Sequence, residues 1–282
     1  MAFIKMHGAG NDYVFIDGFT TQVPQCPEQL ARAVSDRHFG IGSDGLIVMS
    51  PVDHADVEMR MWNADGSEGA MCGNGARCVA LWMHLQNRVA ETCQIQTTSR
   101  VVTATAVHLN RSCDCGIFSV DMGQATMTCN SERLSDVKLP GTDSDVEFTP
   151  VSLGNPHAVV FADELTDRLV QHVGSKIERH PRFPDRTNVE WVQLVSTTEI
   201  SARVWERGSG ETLACGTGAC AAVVAAIQRG HCAADKEITV NLPGGRLQVR
   251  IGEDGHIWLT GPAHVSFTGQ LPTAHCQLPT DN

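Results

Sequence analysis

The chain has 282 residues, of which 42% are hydrophobic and 19% charged, and a formal net charge of −11. That length suffices for two domains with cores of their own, and the acidic balance argues against a nucleic-acid partner, because phosphate affinity is largely Lys and Arg electrostatics. No stretch reaches the roughly 18 uninterrupted apolar residues of a membrane helix, and residues 1–6 lead into Gly8 and Asn11 without the apolar core of a signal segment, so a cytoplasmic protein without a membrane partner is expected.

Taken in order, residues 14–16 read as a short strand after the turn Gly10-Asn11-Asp12, and 28–34 have helical spacing that Arg37-His38, Gly40 and Gly42 bring to an end. Residues 46–49 read as a buried strand. Residues 57–62 alternate into Asn63-Ala64-Asp65-Gly66, which is turn chemistry. Past Cys72 a nearly all-apolar helix is expected over about 75–84, then two strands in 95–107 and another at 118–122. Residues 124–144 are polar and punctuated by Pro140 and Gly141, the composition of a linker.

The eleven cysteines are scattered, with no C-x-x-C pair and no His/Cys cluster at zinc spacing. No metal is expected, and most are read as reduced thiols packed as small hydrophobes. Two stand apart. Cys72-Gly73-Asn74-Gly75-Ala76 and Cys215-Gly216-Thr217-Gly218-Ala219 are copies of one motif, each opening an apolar helix, and their separation is 215 − 72 = 143 residues. The same offset carries Arg60 onto Arg203, Trp62 onto Trp205 and Glu68 onto Glu211; offset 144 carries Gly10-Asn11 onto Gly154-Asn155, and 142 carries Arg37-His38 onto Arg179-His180. Landmarks in the same order imply a duplicated unit.

The expected fold is therefore α+β, with two homologous domains over 1–123 and 145–262, a linker at 124–144, and a tail, 263–282, that returns to the first domain. Each domain would be a mixed β-sheet curled around a central buried α-helix. A pseudo-two-fold axis between them would put the active site in the interdomain cleft, with Cys72 and Cys215 on opposite sides of one ligand. The bland alternative is a purely architectural repeat in which both cysteines only pack.

A thiol at a helix N-terminus has its thiolate stabilised by the macrodipole and by nearby N–H groups, so its pKa is expected to fall toward neutrality. One thiolate and one thiol facing each other across a carbon form a base and an acid, the pairing that inverts a stereocentre. Deprotonating an amino-acid Cα also needs charge stabilisation. A pyridoxal enzyme would use a lysine Schiff base, but of the four lysines only Lys5 lies near a motif, and an N-terminal strand explains it. Without a cofactor, the substrate's own α-carboxylate must take the charge, held by N–H groups of Gly73-Asn74 and Gly216-Thr217 at two helix ends.

His7-Gly8-Ala9-Gly10-Asn11-Asp12, Asn63-Ala64-Asp65-Gly66-Ser67-Glu68, Met71-Cys72-Gly73-Asn74-Gly75-Ala76-Arg77-Cys78, Gly154-Asn155-Pro156-His157, Glu206-Arg207-Gly208 and Ala214-Cys215-Gly216-Thr217-Gly218-Ala219 closely resemble the diaminopimelate epimerase family, in the family's order and over nearly the whole chain. The resemblance implies pyridoxal-independent interconversion of LL- and meso-2,6-diaminopimelate, on the way to lysine and peptidoglycan precursors, without a cofactor. It implies Cys72 and Cys215 as the catalytic pair, and Asn11, Asn63, Asn155, Asn188, Glu206 and Arg207 as substrate-binding residues. Arg207 suits a distal carboxylate, Glu206 an ammonium, and asparagine either. Asn11 and Asn155 are equally well explained as turn residues, and Glu206-Arg207 as a solvated strand end unless the strand stops there. The matching position for His157 lies near the thiols in the family, so His157 and Glu206 are candidates for relaying protons or tuning the pair; a lone histidine after proline is also an ordinary structural residue. Some members carry Gln where this chain has Gly45, so no substrate contact is assigned there. The resemblance is compatible with a homodimer, which composition does not decide.

Three other functions fit part of the pattern. A racemase for proline, hydroxyproline or another amino acid shares the paired cysteines but has no need of the Glu206-Arg207 clamp. A thiol hydrolase using Cys72 or Cys215 with His157 and Asn188 leaves the duplication unexplained. A binding module holding an anion on the glycine loops makes both thiols dispensable.

Overall fold

Strand is the commonest regular element of this chain: some strands alternate buried and half-buried side chains, as Ile238–Leu242 does, and others, as Gly45–Ser50, are buried on both faces. The computed structural model describes residues 1–140 and 144–272. The first half runs β1 (Ala2–Gly8), β2 (Asn11–Asp17), α1 (Pro27–Ser35), β3 (Gly45–Ser50), β4 (Val57–Asn63), β5 (Glu68–Gly69), α2 (Gly73–Leu85), β6 (Thr92–Gln96), β7 (Val101–Asn110) and β8 (Cys115–Gln124). After β9 (Glu132–Lys138), the same succession returns as β10 (Asp145–Ser152), β11 (Pro156–Phe161), a π-helical turn Arg168–Val173 leading into α3 (Gly174–Glu178), β12 (Asn188–Ser196), β13 (Glu199–Glu206), β14 (Gly210–Thr212), α4 (Gly216–Gln228), β15 (Ile238–Leu242), β16 (Gly245–Ile251) and β17 (His256–Gln270).

Two units result: Met1–Val120 with the chain from Gly261 onward, and Asp121–Thr260. Each carries the same mixed pairing. β2 runs parallel to β3 and β4 to β6 in the first unit, as β11 does to β12 and β13 to β15 in the second, while the other neighbours are antiparallel. The repeated Arg60/Arg203 and Glu68/Glu211 now have a structural reason. Arg60 pairs with Glu68 at 2.8 Å and Arg203 with Glu211 at 2.7 Å, each pair bracketing a reversal of the chain.

Within 124–144, expected as a linker, Glu132–Lys138 are instead strand: β9 pairs antiparallel with β10, and Leu134 and Val137 enter the core of the second unit. Leu134 and Val137 stand three residues apart, where the register shifts, so β9 lacks period-two alternation and gives a weak sequence signal. Residues 141–143 lie outside the described residues. The unit limits fall within β8 and β17 rather than at 123, 145 and 262, because strands that cross from one unit to the other leave no shift of composition at the boundary. Of the tail, residues through Gln270 pair with β1 and Leu271 is buried in the first unit's core; residues 273–282 lie outside the described residues.

The two long helices are the centre of each unit. α2 buries Gly73–Leu81, Met83 and His84, and α4 packs against β10, β11, β12, β13, β15 and β16. Helices apolar on nearly every side belong inside a core, and the sheets curl to enclose them. α2 begins two residues earlier than its periodicity suggested, because a cysteine caps it.

Candidate active site

Cys72 and Cys215 occupy the same place in the two units. Each has extended backbone angles, φ −138° and ψ 115° for Cys72, φ −114° and ψ 114° for Cys215, and each is the N-cap of its helix. The capping atom is the sulfur. Gly75 N donates to Cys72 Sγ at 3.3 Å, and Gly218 N donates to Cys215 Sγ at 3.4 Å. Oxygen side chains usually do this work; a sulfur there accepts a first-turn N–H and faces the positive end of the helix dipole.

In the first unit a hairpin aims Asn11 at this sulfur. Ala9 (φ 54°) and Gly10 (φ 83°) form a two-residue turn with both residues left-handed, the geometry that matches strand twist. Asn11 Oδ1 accepts from Asn74 Nδ2 at 3.0 Å and from the Cys72 thiol at 3.5 Å. Asn11 Nδ2 donates to Asp44 Oδ2 at 2.7 Å, and the buried Arg77 donates to Asn74 Oδ1 at 2.7 Å. Burial and then the neighbouring Asp12 push the Asp44 carboxyl above the ordinary aspartate value. Asp12 itself is held low by Arg37 and Lys5, which together outweigh its burial. Lys5 bonds Asp12 and the Gly42 carbonyl, a structural partnership. Asn63, at the end of β4, donates to Ser67 Oγ at 3.0 Å, and opposite it stands Gly45. A methyl group at Gly45 would lie 2.1 Å from the Trp62 carbonyl oxygen, so no side chain fits there.

The second unit surrounds its sulfur differently. Thr217 Oγ1 lies 3.5 Å from Cys215 Sγ and accepts from Asn155 Nδ2 at 3.4 Å. Asn155 Oδ1 lies 3.0 Å from His157 Nε2, and His157 Nδ1 lies 2.7 Å from Glu190 Oε1, with both of the last two side chains fully buried. Asn188 is buried too, accepting from Arg207 N at 2.9 Å and donating to the Pro156 carbonyl at 3.0 Å. β13 stops at Glu206, whose Oε1 accepts from Thr212. Arg207 follows in the turn, exposed, with Nη1 3.3 Å from the Asp185 carbonyl.

Electrostatically the expectation of two lowered thiol pKa values is overturned for Cys215. Burial, then the Glu206 and Glu190 carboxylates, push the Cys215 thiol well above the ordinary cysteine value, outweighing the Thr217 hydroxyl and the Gly218 N–H. Helix-end stabilisation falls off within a turn and is modest, whereas desolvation of a fully buried thiolate beside two carboxylates is large.

The structure thus gathers Asn11, Cys72, Gly73 and Asn74 at one helix mouth and Asn155, His157, Cys215, Gly216 and Thr217 at the other, with Asn188 and Glu206 at neighbouring strand ends. Sequence reasoning missed Asp44, Arg77 and Glu190. For Glu190 a signal was present: a carboxylate in the otherwise apolar Val189-Glu190-Trp191-Val192, a strand run buried throughout. Among the described residues no cluster of three or more His, Cys, Asp or Glu has the arrangement to hold a metal ion.

The family model described as diaminopimelate epimerase matches residues 3–128 and 149–266. A diaminopimelate epimerase of Desulfitobacterium hafniense is 43% identical, covering 96% of this chain and 98% of that protein, and one of Methanococcus maripaludis is 40% identical, covering 96% and 99%. Among solved structures, a probable proline racemase from Agrobacterium radiobacter superposes with a TM-score of 0.74 at 15% identity, over 96% of this chain and 92% of that one. A methylitaconate-delta-isomerase superposes with a TM-score of 0.66 at 14% identity, over 98% and 97%. At such identities these structures speak to the fold.

Proposed function

We propose that this chain, which belongs to the diaminopimelate epimerase family, interconverts LL- and meso-2,6-diaminopimelate by a two-base reaction in which Cys72 and Cys215 are the catalytic thiols. The observation that carries the reading is the matched pair of sulfur N-caps, one on the buried helix of each unit. One sulfur, as thiolate, removes the α-proton; the other, as thiol, delivers a proton to the opposite face of the same carbon. Reversing the reaction exchanges their roles, which suits a duplicated scaffold.

For this to happen one substrate carbon has to meet both sulfurs, one on each face. The α-carboxylate docks on the first-turn N–H groups of Gly73-Asn74 and Gly216-Thr217, where helix ends favour an anion, and the charge that develops on deprotonation spreads into it. No cofactor takes part. Asn11, Asn63, Asn155, Asn188, Glu206 and Arg207 hold the substrate, Arg207 as a planar fork for the distal carboxylate and Glu206 for an ammonium. His157 and Glu206 tune the thiols or pass protons to them. The enzyme acts in the cytoplasm, as a homodimer, in the route to lysine and peptidoglycan precursors.

Incubation of the reduced protein with LL-diaminopimelate in deuterated water, without pyridoxal phosphate, tests the reading. The meso isomer should form with deuterium at the α-carbon. Absence of exchange sinks it, and a preference for proline or hydroxyproline would move the protein to another substrate.

A further inference from the structure

The turn that carries Glu206 and Arg207 is braced differently from its counterpart in the first unit. The offset of 143 residues sets Asn63 against Glu206, Ala64 against Arg207, Asp65 against Gly208 and Ser67 against Gly210. In the first unit the turn braces itself. Asp65 Oδ1 accepts from Ser67 N at 2.8 Å and from Ser67 Oγ at 2.6 Å, and Ser67 Oγ accepts from Asn63 Nδ2 at 3.0 Å. In the second unit glycines replace both bracing side chains, with φ of 81° at Gly208 and 80° at Gly210. Glycines let the chain reverse there but have no side chain to hold the reversal in one conformation.

The brace comes instead from α3. The same offset sets Ser35, the last residue of α1, against Glu178, the last residue of α3. Glu178 is buried, and its two oxygens grip the chain on both sides of the Glu206-Arg207 pair: Oε2 accepts from Trp205 Nε1 and Oε1 from Gly208 N, both at 3.0 Å. Asn188 Oδ1 accepts from Arg207 N at 2.9 Å, so the successive N–H groups of Arg207 and Gly208 are both fixed. A buried carboxylate needs compensation for its charge, and here it has Arg179 Nε at 3.6 Å and Arg186 Nη1 at 3.4 Å. Arg207 is thus left to point elsewhere, exposed, its Nη1 3.3 Å from the Asp185 carbonyl. Glu206 is tied separately, accepting from Thr212 across the hairpin, so what Glu178 adds falls on Arg207.

We propose that Glu178 is a positioning residue for substrate recognition, fixing the backbone of Arg207 so that its guanidinium is pre-arranged for the distal carboxylate of the substrate. The inference rests on the reading of Arg207 as that carboxylate's fork. Two parallel N–H···O bonds to a planar carboxylate demand a set direction, and a fork on a wandering turn would have to be ordered at each binding event, which weakens affinity. The contribution belongs to binding and not to proton transfer, because Glu178 acts on the end of the substrate that does not react.

The test is a double-mutant cycle read in the kinetics of LL-diaminopimelate isomerisation by the full chain. Glu178→Gln keeps the shape but offers one acceptor oxygen where two donors wait. It should raise KM by about tenfold, the effect of weakening a charge-assisted bond, while kcat changes by less than about threefold, the pattern of lost uniform binding. In an Arg207→Ala background the same substitution should raise KM by less than about threefold, since residues that act as one unit are not additive. Should Glu178→Gln not fold, Glu178→Asp, too short to reach both donors, is read by the same comparisons. An unchanged KM, a KM raised equally in both backgrounds, or a kcat that falls tenfold overturns the proposal. Arg207→Ala that leaves KM unchanged sinks the distal fork and this inference with it, whereas Arg207→Ala that raises KM beside an unaffected Glu178→Gln sinks this inference alone.

Discussion

The mouth of α2 and the mouth of α4 share a backbone and little else. Both are capped by sulfur, both open a buried helix, and both sit in the same succession of strands. Around Cys72 the partners are amides, Asn11 and Asn74, braced by Asp44 and Arg77. Around Cys215 they are a hydroxyl, an amide, an imidazole and two carboxylates. The repeat keeps what the fold requires of each unit, while the polar side chains around the two sulfurs differ. A reaction that inverts a carbon needs two acid–base groups in place, but it needs one of them charged and the other neutral.

The sharpest way to break this comparison is to remove each sulfur in turn. Cys72→Ser and Cys215→Ser should each lower kcat by about 10²–10⁴-fold, the range for loss of a general acid or base, in the α-deuterium assay. If only one variant is impaired, the helix mouths are not two halves of one device.

Next in size is an asymmetry of stability. α3 ends at Glu178, buried, whose carboxylate accepts from Trp205 Nε1 and Gly208 N, both at 3.0 Å. α1 ends at Ser35, whose hydroxyl accepts only a neutral bond from Ser43 at 3.1 Å. Glu178→Ala should destabilise the protein by about 1–3 kcal/mol for each donor left unpaired, and Ser35→Ala by about 1 kcal/mol or less, in urea unfolding. Burial raises the Glu178 pKa, but the Trp205 and Gly208 bonds with Arg179 and Arg186 outweigh it and leave it below the ordinary 4.5. A lowered carboxylate stabilises the fold fully above its unfolded pKa and loses that contribution as pH falls through the folded value. Acid unfolding of the wild type should therefore steepen below pH 4.5, and Glu178→Ala should flatten that dependence.

A subtler pair of variants compares the two glycines. Gly75→Ala meets the end of a flexible isoleucine, whereas Gly218→Ala meets a carboxylate fixed by His157, and the Cys215 sulfur. Overpacking typically costs about 1–3 kcal/mol, and an alanine in place of glycine returns roughly 1 kcal/mol of helix propensity. Gly75→Ala should thus change thermal stability little, while Gly218→Ala should lower both stability and kcat. Equal behaviour would mean that Ile47 and Glu190 are equivalent in practice as well as in register.

Much of this site is legible in the sequence alone. The offset between Cys72 and Cys215, and the apolar runs behind them, specified two buried helices with a thiol at each mouth. β9 was read as linker because its buried anchors, Leu134 and Val137, stand in a polar setting that becomes a strand only when β10 supplies its hydrogen bonds. Asp44, Arg77 and Glu190 went unread for a related reason: nothing in their spacing says what they will touch.

The sequence by itself determined the duplicated unit, the family and the two thiol positions, because these depend on local pattern: glycine at a helix entry, apolar residues around a helix, motifs in a fixed order. Only the tertiary structure decided that the two thiols have unequal surroundings. That inequality comes from strand register, which sets Ile47 against the first turn of α2 and Glu190 against the first turn of α4, and from burial, which makes a neighbouring carboxylate count for more than a helix dipole.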